Sequence, residues 1–374
     1  LNIEENGNCK EYGQLQKRKK MKKRLTAIIV PLILCFLTVL TLAGCGAAGQ
    51  EKEYARTAPD GRPKIQVITT IFPPYDFVRQ IGGDYVEADM LLKPGMEAHS
   101  YEPTPRDIIR ITESDLFLYA GGESDVWVEE LLEGNDSRVH AHSLLEWVEP
   151  LEEETAEGMQ SREHDHDHEE EALKNGAAEE TAGGTEAFAE DAGVHLEEGE
   201  YDEHVWTSPL NAIKIVKKIN AELDKIDSKN ADTFDNNAEK YISEIKDIDS
   251  QIRDIVKHAK RKTLVFGDRF PFKYFVEEYG LDYKAAFPGC SDEMEPSAET
   301  VSYLVNFIRK ENIPVVLYVE LSNQKVADTL SNETGTKTMC LNSAHNLSQQ
   351  DFDKGVTYVS IMKENIKTLK AALQ

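Results

Sequence analysis

Basic side chains are in short supply: 42 Lys and Arg stand against 68 Asp and Glu, a formal charge of −26 over 374 residues. Beyond a short N-terminal run, the basic patches that nucleic acid or anionic lipid would need are absent, which excludes those partners. The chain also lacks His-Glu-x-x-His, the paired ligands and general base of many zinc hydrolases, which argues against a secreted metalloenzyme. Cysteine is sparse, with five in all, and Cys9 and Cys35 fall ahead of Cys45. Cys290 and Cys340 remain, and in an oxidising compartment they either form a disulfide or stay as two free thiols. Residues 152–200 have almost no large apolar side chains. They bury too little surface to offset ordering entropy, so a disordered loop is expected there.

What is present begins with Lys17-Arg-Lys-Lys-Met-Lys-Lys-Arg24, an apolar stretch from Leu25 to Leu42, and Leu42-Ala-Gly-Cys45. A basic region, an apolar region and small residues before a cut make a secretory signal. A membrane anchor is the alternative, since the apolar stretch is about long enough to span. The Leu-Ala-Gly-Cys ending resembles the bacterial lipoprotein box, which implies lipidation at Cys45 and a protein held on the outer face of the cell membrane. Met21 reads as the start, with residues 1–20 as an upstream extension. Residues 1–44 carry 8 basic and 3 acidic side chains, leaving 34 against 65, or −31, for the rest. Residues 151–203 alone hold 2 basic and 20 acidic side chains, a charge that favours cations.

Strand-like runs alternate with helical ones, which predicts parallel sheets. Strands are expected over Lys64–Ile71, Val86–Leu92 and Leu116–Tyr119, with helices near Tyr75–Ile81 and Pro105–Glu113. After Pro209, Ile213, Val216, Ile219, Leu223 and Ile226 make one apolar helical face. A second helix is expected from about Ala231 to Lys260, with Phe234, Ala238, Tyr241, Ile245, Ile248, Ile252 and Ile255 on its stripe. At 1.5 Å per residue it would reach about 45 Å, enough to cross a domain as a rigid spine. Further strands (Thr263–Phe266, Val315–Val319, Lys337–Met339) and helices (Phe272–Tyr279, Ala298–Lys310, Lys325–Thr334, Phe352–Leu373) follow. The expected layout is signal and extension over 1–44, tether over 45–62, an N-terminal lobe over 63–207, linking helices over 208–261 and a C-terminal lobe over 262–374.

Eight of the ten histidines lie between His99 and His204. His164, His166 and His168 alternate with Asp in the acidic loop, a pattern suited to weak binding of several cations. His99 sits in Glu97-Ala-His-Ser-Tyr-Glu-Pro103, His204 in Asp202-Glu-His-Val-Trp-Thr-Ser-Pro209 and His345 in Asn342-Ser-Ala-His-Asn346. His99 and His345 fall shortly after expected strands, where α/β folds gather ligands. Together the three suit an N-rich tetrahedral zinc site. His140 and His142 either join the acidic loop or cap a strand, and His258 reads as structural.

The order of these motifs resembles the metal-binding lipoproteins of bacterial ABC importers for zinc and manganese, most of all the zinc branch. The likeness covers Lys64 to the C-terminus. It implies two parallel-sheet α/β lobes joined by one long helix, with metal in the cleft between them. It implies a monomer that hands Zn²⁺ to a membrane permease, with Mn²⁺ or an adhesive role as alternatives. His99 and His204 match the family's N-lobe ligands. Where the zinc branch places a third His ahead of Phe-x-Tyr-Phe, this chain reads Gly267-Asp-Arg-Phe-Pro-Phe-Lys-Tyr-Phe275. A guanidinium does not ligate, so Asp268, beside Arg269, becomes the expected C-lobe ligand with His345. Water or Glu320 is the fallback for the fourth position.

Overall fold

A computed structural model of the chain describes residues 57–97, 101–135, 139–154, 156–159, 201–289 and 295–374. Residues up to Pro63 form a unit of their own, in which Thr57 and Pro63 make an antiparallel bridge. From Lys64 onward the chain is a second unit built on two sheets.

The first lobe runs β1 (Ile65–Thr69), α1 (Phe72–Gly82), β2 (Val86–Met90), α2 (Pro105–Thr112), β3 (Leu116–Tyr119), α3 (Val126–Asn135) and β4 (Ala141–Ser143). All pairings are parallel, in the order β2-β1-β3-β4. The central strand β3 is a continuous apolar run because helices cover both faces, and every one of its residues is buried. Two helices follow, α4 (Pro209–Ile226) and α5 (Ala231–Lys257). Ser208 caps α4 by accepting from the Asn211 amide, and Pro209 sits where its missing N–H costs nothing.

The second lobe runs β5 (Thr263–Phe270), α6 (Lys273–Tyr279), β6 (Asp282–Pro288), α7 (Ala298–Glu311), β7 (Val315–Tyr318), α8 (Lys325–Thr334), β8 (Lys337–Cys340), α9 (Gln349–Asp353) and α10 (Tyr358–Leu373). Its order, β6-β5-β7-β8, repeats that of the first sheet, again all parallel. In each sheet the order reverses beside the first strand, and loops at the carboxyl ends of such strands open a crevice.

The stripe read from sequence is buried in full along α5, from Phe234 to Ile255. Its 27 residues span about 40 Å, and it packs against α1 and α4 as well as α6 and α10. Asp76 staples three of these helices: its carboxylate accepts from Tyr241 Oη of α5 at 2.7 Å, the Tyr358 amide of α10 at 2.8 Å and Gln80 of α1 at 3.0 Å.

Two details differ from expectation. The segment expected to be loop from 152 onward begins with placed residues. Glu154 and Glu157 reach Lys273 and Lys284, and Met159 packs on the core, because acidic side chains here meet lysines of the second lobe. The final helix is two, α9 and α10, since Thr357 starts a new capping box with Ser360 after Gly355 turns at φ 69°. Cys340, at the end of β8, has a free thiol whose pKa burial pushes up to about 12. Cys290, Cys45 and His164, His166 and His168 lie outside the described residues.

Candidate metal centre

Asp202 orients His204. Its Oδ1 accepts the His204 amide at 2.8 Å and lies 3.2 Å from His204 Nδ1. That contact holds the ring proton on Nδ1 and leaves Nε2 as the lone-pair nitrogen, the usual way a carboxylate prepares a histidine for metal. Asp202 is itself fixed, its amide donating to Leu151 O at 2.9 Å and its carbonyl accepting from Tyr274 Oη at 2.8 Å. Burial favours the neutral imidazole, but Asp202 and Glu203 outweigh it and hold the His204 pKa above its ordinary value.

His345 reaches the same place from the second lobe. Glu320, just past β7, accepts from the Ser343 amide at 2.7 Å, Ser343 Oγ at 2.5 Å and the His345 amide at 2.9 Å. This grip holds the loop after β8 in a conformation where Ala344 takes φ 62°, a strained choice for a residue with a Cβ. Trp206 joins the two loops, its Nε1 donating to Ser343 O at 2.8 Å. The His204 and His345 rings meet edge to face, 5.2 Å between centroids at 85°. Both are buried, at 1 % and 9 % exposure.

Glu203 completes the cluster, with one oxygen within 4.8 Å of ligating nitrogens on both histidines. Ser124 holds its carboxylate through its amide at 3.0 Å and hydroxyl at 2.6 Å. Burial raises the pKa of Glu203, which stands beside both histidines, and that of Glu320, which lines a pocket with them. A cation entering the pocket would stabilise both as carboxylates.

Asp268 does not line this pocket. β5 and β6 shift register between Phe266 and Arg269, and β5 pairs with β7 only at Phe266–Leu317. Asp268 ties β5 to the end of β7: Oδ2 accepts from the Val319 amide at 3.1 Å, while Oδ1 accepts from the neighbouring Arg269 amide at 2.9 Å. The expected ligand is thus a tie between splayed strands. Arg269 instead points into the pocket and forks onto Glu97, with both nitrogen–oxygen distances 2.9 Å. It links the lobes at the pocket mouth. Asn346 adds a second link, donating to Lys93 O at 2.9 Å and Met96 O at 2.8 Å. These contacts hold residues 93–97; His99 lies outside the described residues.

Sequence reasoning missed Glu203, although it sits in the Asp-Glu-His motif. The signal was there, but an acidic residue beside a histidine reads first as part of the charged loop.

The family model described as zinc-uptake complex component A, periplasmic, matches residues 67–372. The high-affinity zinc uptake system protein ZnuA of Bacillus subtilis is 32% identical over 94% of this chain and 99% of its own length. The zinc-binding lipoprotein AdcA of Streptococcus pneumoniae is 31% identical over 91% of this chain, which spans 60% of that longer protein. Among solved structures, the Zn(II)-bound ZnuA-like domain of the pneumococcal AdcA superposes with a TM-score of 0.62 at 29% identity, covering 83% of this chain and 99% of that domain. The metal-dependent lipoprotein YcdH of Bacillus subtilis does so at 0.64 and 31%, covering 83% of this chain and all of that one. With a match that runs through both lobes and a relative alike along nearly its whole length, the chain belongs to the family of the periplasmic zinc-uptake component A.

Proposed function

We propose that this protein captures Zn²⁺ outside the cytoplasm and delivers it to an ABC permease in the membrane. The observation that carries the reading is the meeting of two buried histidines, one from each lobe, beside the carboxylates of Glu203 and Glu320. His204 and His345 supply imidazole nitrogens, and His99 joins them from the loop that Asn346 and Arg269 hold down. One carboxylate completes four donors. Such an N-rich set suits zinc, and the nearby oxygen donors leave Mn²⁺ as the competing cargo.

Capture is an exchange of water for these ligands. Because Asp202 holds the Nδ1 proton of His204, the ring need not rotate to ligate. The acidic surface draws cations towards the cleft, and His164, His166 and His168 add a weak, multi-ion store near it. Cys45 carries the lipid that keeps residues 63–374 on the outer face of the membrane, with 45–62 as tether. Release to the permease requires the cleft ties, Arg269 to Glu97 and Asn346 to the 93–96 loop, to loosen. One continuous helix behind both lobes hinges poorly, so the opening is small.

The test is a chelator-competition titration of the metal-stripped chain with Zn²⁺ and with Mn²⁺. A single tight zinc site, with manganese bound at least about tenfold more weakly, supports the reading. Tighter manganese would make the protein a manganese receptor of the same fold.

A further inference from the structure

His140 and His142 flank Ala141 at the start of β4, the edge strand of the first sheet. Residues two apart on a strand face the same way, so both imidazoles project to one side. Glu222, in the last turns of α4, lies on that side. His140 Nε2 and His142 Nε2 are 3.2 Å apart, and Glu222 Oε2 lies 3.2 Å from the first and 3.6 Å from the second. Four ligands at about 2.05 Å around a tetrahedral zinc stand about 3.3 Å from one another. The three atoms already form one face of that tetrahedron.

The arrangement suits a cation. Glu222 is 6 % exposed, and its buried Oε2 faces the two imidazole nitrogens. Its other oxygen is committed to Lys225 Nζ at 2.7 Å. Two neutral imidazoles placed nitrogen to nitrogen share one N–H···N bond at 3.2 Å, and a cation in its place would take a lone pair from each. Trp147 packs its ring 5.3 Å from that of His142 and limits its movement.

We propose that His140, His142 and Glu222 form a second binding site for a zinc-class divalent cation, with three protein ligands and a fourth position open to water. It shares no residue with the cleft cluster. Glu222 lies 14 residues beyond Ser208 on α4, about 20 Å along the helix from the end that carries His204. An open fourth position makes the site exchangeable, suited to taking up zinc from solution or passing it on.

The test is equilibrium dialysis of the full chain against buffered Zn²⁺, in the parent and in a His204→Ala/His345→Ala background that removes the cleft donors. Failure of the cleft reading is then seen separately. In both backgrounds His142→Gln and Glu222→Gln are expected to lose one zinc per chain, with affinity at that site falling at least about tenfold. His258→Gln, a surface histidine elsewhere, is expected to match its parent. His140→Gln, at a half-exposed edge position, gives the same readout should Glu222→Gln unfold the chain, which metal-free circular dichroism shows. If His140→Gln and His142→Gln both bind as many zinc ions as tightly as their parent, the three side chains are a hydrogen-bonded cluster only and the proposal is overturned.

Discussion

Asp202 and Asp268 are both buried carboxylates near the cleft, yet one is bonded to the His204 ring and the other to backbone amides. Asp202→Asn should weaken zinc binding about 10- to 100-fold, because an amide no longer fixes the His204 proton. Asp268→Ala should leave zinc affinity within about threefold yet destabilise the fold by about 2 kcal/mol, since the amides of Val319 and Arg269 lose their acceptor. Titration and urea unfolding of the two variants separate the roles. Asp125, beside the residue that holds Glu203, offers a pH test. Burial pushes its carboxyl up to about 7, aided by Glu203 and opposed by bonds from Gly121, Ala120 and Thr70. A raised acid binds its proton more tightly when folded, so this contribution is full below about pH 4 and is lost as pH rises towards 7. Relative to Asp125→Asn, the parent should lose roughly 3–4 kcal/mol of stability across that window. At this scale the sequence disclosed His204 and His345 through their motifs. It hid the role of Asp268, because a register shift between strands leaves no mark on residue type.

Elements were legible where a period ran long. The seven-residue stripe of α5 named its buried face correctly, and the capping residues of α4 and α7, Ser208 and Ser297, stand where each helix starts. β4 and β6 escaped notice for physical reasons. Ala-His-Ser is three residues with no β-branched member, and β6 opens on charge at Asp282 and ends on Pro288. Their strand form comes from pairing with β3 and β5, a tertiary cause. The joint among α1, α5 and α10 rests on Asp76, whose pairing with Tyr241 and the Tyr358 amide no local pattern announces. Asp76→Ala strands both donors in the core and should cost about 2–4 kcal/mol in urea unfolding, with all three helices lost in one transition.

The whole molecule places two copies of one sheet order on a shared helix, so the carboxyl ends of both sheets supply loops to a single cleft. The resemblance noted in the sequence carried this architecture; periodicity alone would have stopped at alternating strands and helices. The acidic loop belongs to this scale too. Its first residues are held against the second lobe by Lys273 and Lys284, so the deletion that isolates its histidines is 161–200. That deletion should reduce the number of weakly held zinc ions and spare the tightest. The most direct measurement of the central claim is a chelator-competition zinc titration of the metal-stripped chain beside His204→Ala/His345→Ala and the 161–200 deletion. One tight site that survives the deletion and disappears with the two histidines is the predicted result. A tightest site whose affinity is unchanged without His204 and His345, or that leaves with the loop, would contradict a cleft receptor.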